Sequence, residues 1–137
     1  MAQAVGKKAE ESLFTGSFSS FSVNSIQEAK DFYSGTLGIK VTETEEGIQL
    51  DVENSDPVFI YPKDDHEPAT FTVLNLNVDD IEEAVDELTD RGITFESYEG
   101  EMETDEKGIF RGADTGKGPN IAWFKDPAGN FISVIEN

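Results

Sequence analysis

The stretch VNSIQEA, residues 23–29, decides the fold because its pattern returns 55 positions later as VDDIEEA, residues 78–84. Valine, isoleucine, glutamate and alanine occupy the same places in both copies. In each copy a β-branched residue is followed by Ser or Asp, which can cap a helix. A shared order of strand, cap and helix is harder to obtain by chance than a single motif, so it indicates an internal repeat.

Each copy, together with the residues that follow it, predicts a helix of similar design. Ile26, Ala29, Tyr33 and Leu37 are spaced by three and four positions and form one apolar face. Gly38 ends this helix, because Gly readily adopts the left-handed conformation just past the last turn. The second helix has a corresponding apolar face and terminal glycine: Ile81, Ala84, Val85, Leu88 and Gly92.

Short β-prone runs bounded by turn residues predict one strand before each helix and three after it. These runs lie at about 13–23, 39–44, 47–53 and 57–62 in the first copy, and at about 71–78, 93–98, 120–125 and 130–136 in the second. A Gly-rich acidic loop from about 99 to 119 is long enough to be functional or mobile. The sequence therefore predicts an α+β domain of two tandem βαβββ modules, about 13–63 and 70–137, that form a curved mixed sheet around a central cleft. Residues 1–12 are predicted to be a disordered tail.

The composition restricts the possible partners and compartments. A net charge of −19, from 29 acidic and 10 basic residues, repels nucleic acids and anionic membrane surfaces. There is no Cys, so disulfides and thiolate chemistry are excluded. No apolar stretch follows Lys7 and Lys8, so we expect no secretory signal and a cytoplasmic protein.

Strand alternation predicts which side chains line the cleft. Leu74, Leu76 and Val78 share the face expected to pack on the helices, as do Phe21 and Val23 in the first strand. Aromatic and polar residues share the opposite faces, a mixture that is typical of small-molecule sites. On these faces lie Phe18, Ser20, Ser22, Phe71, Val73, Asn75 and Asn77.

Two segments resemble the vicinal-oxygen-chelate superfamily, which includes glyoxalase I, bleomycin-resistance proteins and extradiol dioxygenases. The segment 29–33, AKDFY, with Leu37 and Gly38, is similar to the first helix of that family. The segment 123–130, WFKDPAGN, is similar to the turn before its last strand. The resemblance spans roughly residues 13–136 and implies the same duplicated fold. It also implies frequent pairing as homodimers, sometimes with a cleft completed by a second chain.

The resemblance places the metal-ligand positions of that family on residues that cannot serve. They fall on Phe18, Val73 and Ser133, and the strand 58–62 offers no carboxylate, amide or imidazole. Phe and Val are not ligands, and a neutral Ser alone is a poor one. Because His66 is the only His, a two-His iron site cannot form within one subunit, and a dioxygenase is disfavoured. We therefore expect no metal and no cofactor.

Four other side chains are candidates for ligand contact or catalysis. Tyr61 and Trp123 are placed to contact a flat ligand, with core packing as the alternative. Arg111, one of two Arg, suits a ligand carboxylate or phosphate, with an ion pair to a neighbouring acid as the alternative. His66 lies in a charged linker, where a solvated side chain is favoured over a general base.

Two functional hypotheses follow. The preferred one is a metal-independent protein of the bleomycin-resistance type that binds a small organic ligand in the cleft. Its predicted site consists of Phe18, Tyr61, Phe71, Val73, Asn75, Arg111, Trp123 and Ser133. The alternative is a glyoxalase-like lyase or isomerase that uses an atypical metal site or acid/base chemistry from Tyr61 or His66.

Overall fold

The computed structural model describes residues 13–136, so the predicted tail at 1–12 lies outside the described residues. The first half contains β1 (Ser19–Val23), α1 (Ile26–Lys30) with its π-helical continuation (Asp31–Thr36), β2 (Lys40–Glu43), β3 (Ile48–Asp51) and β4 (Val58–Pro62). The second half contains β5 (Thr72–Val78), α2 (Ile81–Asp90), a 3₁₀ turn (Gly100–Met102), β6 (Ile109–Arg111), α3 (Gly112–Thr115), β7 (Asn120–Lys125) and β8 (Phe131–Glu136).

The two halves have the same sheet topology. The strand orders are β1-β4-β3-β2 and β5-β8-β7-β6, each a four-stranded sheet. The first strand of each half pairs in parallel with the last, and the other pairs are antiparallel. The predicted α+β class with two tandem modules is confirmed, as two four-stranded sheets. A common origin of the two halves stays a prediction.

Local hydrogen bonds explain where the helices begin and how the first one ends. The Ser25 Oγ accepts the Glu28 amide at 3.2 Å, and Asp80 Oδ1 accepts the Glu83 amide at 3.1 Å. These caps satisfy amides that have no intrahelical partner. After α1 the chain widens into a π-helix, an irregularity that the apolar spacing does not predict. The wider turn places Tyr33 in the interior, where its side chain is fully buried.

The prediction of a strand at 93–98 is wrong, and the second strand of the second module is β6, inside the predicted loop. Ile93 and Phe95 alternate as strand residues do, because both pack against the core. However, a hydrogen bond from the Glu96 amide to the Trp123 carbonyl, 2.8 Å, joins the segment to β7. The strand that pairs with this edge of β7 is β6. A tight turn at Gly108, φ 87°, instead brings the chain back beside β7.

The core lies between each sheet and its helix and is continuous across the modules. The Phe32 ring of the first module lies 6.1 Å from the Phe124 ring of the second, and Phe124 also contacts Phe95. The fully buried residues include Val23, Ile48, Leu50, Ile60, Ile81, Val85, Ile132 and Val134. Within residues 13–136, no helix combines the length and apolar character needed to cross a membrane.

Candidate functional site

The turn at residues 126–130 joins the two modules through buried hydrogen bonds. Asp126 is only 4% exposed, and its Oδ2 accepts the hydroxyl of Tyr33 at 2.8 Å. Its Oδ1 accepts the amides of Ala128 and Asn130 at 2.9 and 2.8 Å. The Asn130 Nδ2 in turn donates to the Ser22 carbonyl at 2.9 Å. The turn therefore ties β8 of the second module to β1 and the first helix of the first.

The buried Tyr33 hydroxyl predicts how stability changes at high pH. Burial, followed by the neighbouring Asp126 carboxylate, raises the pKa of Tyr33 well above its usual value. Below the unfolded-state pKa of about 10, both states hold the phenolic proton; above it, only the unfolded chain releases it. The free energy of unfolding should then fall by about 1.4 kcal/mol per pH unit through this residue.

Urea unfolding at several pH values above 10, for the wild type and for Tyr33→Phe, measures this contribution. The wild-type free energy should fall more steeply with pH than that of the variant. Parallel curves would show that Tyr33 does not hold its proton in the folded state.

His66 also lies where the turn at residues 126–130 meets the first module. The prediction that its side chain is solvated is therefore wrong. The linker turns back across β1, because the Lys63 amide donates to the Val23 carbonyl at 2.9 Å. This places the half-buried His66 ring with Nδ1 2.7 Å from Ser22 Oγ and Nε2 3.0 Å from the Ala128 carbonyl oxygen. The sequence shows only a charged linker, so this contact depends on tertiary structure.

The first-module face is the side of the first sheet opposite its helix. It carries a depression of about 470 Å³ whose lining includes Phe18 and Phe59. Phe18 is 70% exposed. The rings of Phe59 and Tyr61 stack with centroids 6.2 Å apart and an interplanar angle of 18°. The complete lining is Ser17, Phe18, Thr44, Glu46, Gln49, Pro57 and Phe59.

The second-module face is the corresponding side of the second sheet. Its depression of about 300 Å³ is lined by Thr70, Phe71, Thr72, Tyr98, Met102, Trp123 and Phe131. The Tyr98 ring meets the Trp123 indole edge to face, with centroids 5.6 Å apart. Beside Trp123 in the sheet register, the fully buried Ser133 donates from Oγ to Asn75 Oδ1 at 2.6 Å. The aromatic side chains of this depression thus lie beside the hydrogen-bonded polar pair of Ser133 and Asn75.

Val73 and Arg111, both predicted to line the cleft, lie elsewhere. The register of β5 shifts between Thr72 and Leu74, and this irregularity lets Val73 pack against the core. Arg111 reaches Asp105 at 3.0 Å and Glu82 at 3.4 Å. An ion pair with a neighbouring acid was the alternative predicted for Arg111. These two ion pairs hold its guanidinium on the helix side of the sheet.

The predicted site residues therefore separate into two groups. Phe71, Trp123, Asn75 and Ser133 lie on the second-module face, while Phe18 and Tyr61 lie on the first. Sequence reasoning missed Phe59, Tyr98, Met102 and Phe131. Alternation with Tyr61 would have identified Phe59, whereas Tyr98 and Met102 lie in an irregular segment without periodicity.

The positions that the resemblance assigns to metal ligands hold Phe18, Val73 and Ser133. In the part of the chain that the structure describes, no three His, Asp or Glu side chains are grouped so as to hold a metal ion. Ser133 is occupied with Asn75, and Glu136, the nearest acid in sequence, turns to the opposite side of the sheet. There its carboxylate accepts the Ile81 amide at 3.3 Å and the Asn120 amide group at 3.0 Å.

Solved structures of other proteins share this fold, whereas no curated protein matches the chain. A superfamily member from Sphaerobacter thermophilus superposes with a TM-score of 0.62 at 24% identity, covering 90% of this chain and 98% of its own. TnmS3, an antibiotic binding protein from a Streptomyces species, superposes with a TM-score of 0.63 at 21% identity, covering 91% and 98%. A glyoxalase family protein from Enterococcus faecalis gives 0.60 at 21% identity, covering 90% and 98%.

At these identities the structural likeness shows the fold. The family itself is shown by a sequence model, that of the Glyoxalase/Bleomycin resistance protein/Dioxygenase superfamily, which matches residues 18–134. This chain belongs to that superfamily.

Proposed function

We propose that the protein is a metal-independent binding protein for a small, partly aromatic organic molecule. The observation that carries the proposal is the open aromatic depression on the second-module face, with Trp123 beside the polar pair of Ser133 and Asn75. Apolar walls with a few placed polar groups are typical of small-molecule sites. The antibiotic binding of the structurally similar TnmS3 agrees with this chemistry.

The polar pair defines what the ligand should carry. Since the hydroxyl of Ser133 donates to Asn75 Oδ1, the Asn75 amide nitrogen keeps its two donor hydrogens. Asn75 itself is exposed on the second-module face. A ligand that stacks a flat ring on Trp123 and directs a carbonyl or another acceptor at Asn75 would satisfy both groups.

The chemistry of the residues at the family's ligand positions supports metal independence. Phe18 and Val73 have no donor atoms, and the hydroxyl of Ser133 is already engaged. Binding of stoichiometric zinc, nickel, manganese or iron by untagged protein would contradict this part of the proposal.

The cleft of this proposal forms between a first-module face and a second-module face, in a homodimer. The two depressions have no lining residue in common, and the lining of each includes large apolar side chains. Phe18 and Phe71 are 70% and 68% exposed, unusually high values for large apolar side chains. In such a dimer, the first-module face of one copy would lie against the second-module face of the other. This would cover the exposed apolar side chains and enclose a ligand between Phe18 and Phe59 of one copy and Phe71 and Trp123 of the other.

Trp123→Ala is the variant that tests the proposal. Because Trp123 is the only Trp, its fluorescence reports directly on ligands found by a thermal-shift screen of neutral aromatic compounds. Removal of a central aromatic anchor should weaken binding about 30-fold or more, measured by calorimetry.

Arg111→Gln is the matched control, since Arg111 faces away from both depressions, and its affinity should equal that of the wild type. Sedimentation should give the same particle size for all three proteins. The proposal is overturned if no aromatic compound stabilises the protein, or if Trp123→Ala binds as tightly as the wild type.

A further inference from the structure

We propose that Ser22 and His66 form a nucleophile and general-base pair that reacts with activated carboxylic esters, aryl esters among them. This activity goes beyond ligand binding, because Ser22 and His66 belong to β1 and to the charged linker and line neither of the two depressions. The Ser22 Oγ lies 2.7 Å from His66 Nδ1, within the range in which a base can take a hydroxyl proton. The two residues are 44 positions apart, so tertiary structure brings them together.

The second ring nitrogen determines the direction of the hydrogen bond. Nε2 of His66 lies 3.0 Å from the Ala128 carbonyl oxygen, which can only accept, so Nε2 carries a proton. In the neutral ring Nδ1 is then the unprotonated nitrogen and accepts the hydroxyl hydrogen of Ser22. The carbonyl takes the place of the acid that orients the base in a Ser-His-Asp triad.

The surroundings keep this arrangement in place. Ala128 is held by the buried Asp126 turn, whose Asn130 donates to the carbonyl of Ser22 itself. The base and the nucleophile are thus fixed by the same turn. In the described residues no carboxylate hydrogen-bonds His66, because Asp126 is engaged with Tyr33 and Asn130, and Asp65 with Lys63.

Access and charge select the substrate class. Ser22 is half-buried on the first-module face, and Tyr61 is its partner in the strand register. The Tyr61 ring, stacked on Phe59, offers an aromatic neighbour to an aryl group. With a net charge of −19, the protein disfavours anionic substrates. Esters with good leaving groups suit a pair in which the one base, His66, must also return the proton to the leaving oxygen.

The reaction balances without any other reactant than water. The hydroxyl proton of Ser22 moves to His66 Nδ1 as Oγ bonds to the ester carbonyl carbon. The bond from that carbon to the leaving oxygen then breaks, and His66 returns its proton to the released alcohol. Water attacks the acyl-Ser22, gives one proton to His66, and releases the carboxylic acid as Ser22 recovers its hydrogen.

Reaction with a fluorophosphonate probe and with p-nitrophenyl acetate tests the pair. We expect one phosphonyl group per chain, found by peptide mapping on Ser22, and a burst of about one equivalent of p-nitrophenolate. Ser22→Ala should abolish labelling and the burst, and His66→Gln should slow both about 100-fold, the low end of general-base contributions. Ser20→Ala is the matched control, because Ser20 lies on the same strand face and should leave the rates unchanged.

A second measurement needs no variant and separates catalysis from a purely structural contact. His66 is the only His, so its ring protons give a single titration curve by NMR. The labelling rate should rise with pH along that curve as Nδ1 loses its proton. The proposal is overturned if Ser22 stays unlabelled, if Ser20→Ala and Ser22→Ala label equally, or if the rate does not follow the titration of His66.

Discussion

Asp126→Ala is expected to lower the free energy of unfolding by about 3–5 kcal/mol, the largest effect that we predict. The Asp126 carboxylate is almost fully buried and accepts from Tyr33, from two turn amides and from the side chain of Asn130. Alanine would leave these donors in the interior without a partner, and each buried unsatisfied group costs about 1–3 kcal/mol. Urea denaturation at neutral pH measures the loss.

Asp56→Ala is the matched control, because Asp56 lies exposed in the loop before β4. Its stability should stay within about 0.5 kcal/mol of the wild type, as for most surface changes. If Asp126→Ala were equally mild, the turn would not be the connection that holds the modules together. Because the same turn carries Ala128, Asp126→Ala should also reduce the reactivity of Ser22.

Gly47→Ala is expected to destabilise the protein by about 3 kcal/mol, through a steric clash instead of a lost hydrogen bond. A Cβ on Gly47 would lie 2.1 Å from the carbonyl oxygen of Ile60 and 3.1 Å from the Tyr61 Cα. Both atoms belong to the backbone of β4, so β3 and β4 would have to separate. Since β4 carries Phe59 and Tyr61, the first-module face would be distorted as well.

Gly35→Ala provides the control for this prediction. A Cβ at Gly35 meets nothing within 4 Å, and Gly35 lies in the helical segment after α1. Its stability should be unchanged or slightly higher, because Ala loses less conformational entropy than Gly on folding. Thermal denaturation of both variants decides the matter: equal midpoints would contradict the clash at Gly47.

Several features could be predicted because their causes are local in the sequence. Helix starts follow from Ser25 and Asp80, whose side chains reach amides three residues ahead. The alternating faces of β5 and β8 follow from the pleat, which places Asn75 and Ser133 opposite the helix side. The family was predicted from two short segments and is confirmed by the match over residues 18–134.

Other features could not be predicted because they depend on register or on distant partners. The shift in β5 that moves Val73 to the core results from its pairing with β8. The strand at Ile109–Arg111 forms because the chain returns beside β7, while the strand-like segment at 93–98 has no ladder partner. Arg111 is held by Asp105 and Glu82, and no spacing in the sequence indicates that choice.

The repeated stretch at 23–29 and 78–84, by itself, determined two similar modules, since strand, cap and helix each depend on neighbours within a few residues. Only the tertiary structure decided how the modules meet. Tyr33 and Asp126 are 93 positions apart, Ser22 and His66 are 44 apart, and these partners meet where the turn at 126–130 docks on the first module. Burial makes these contacts strong, because polar groups removed from water must find partners inside the protein.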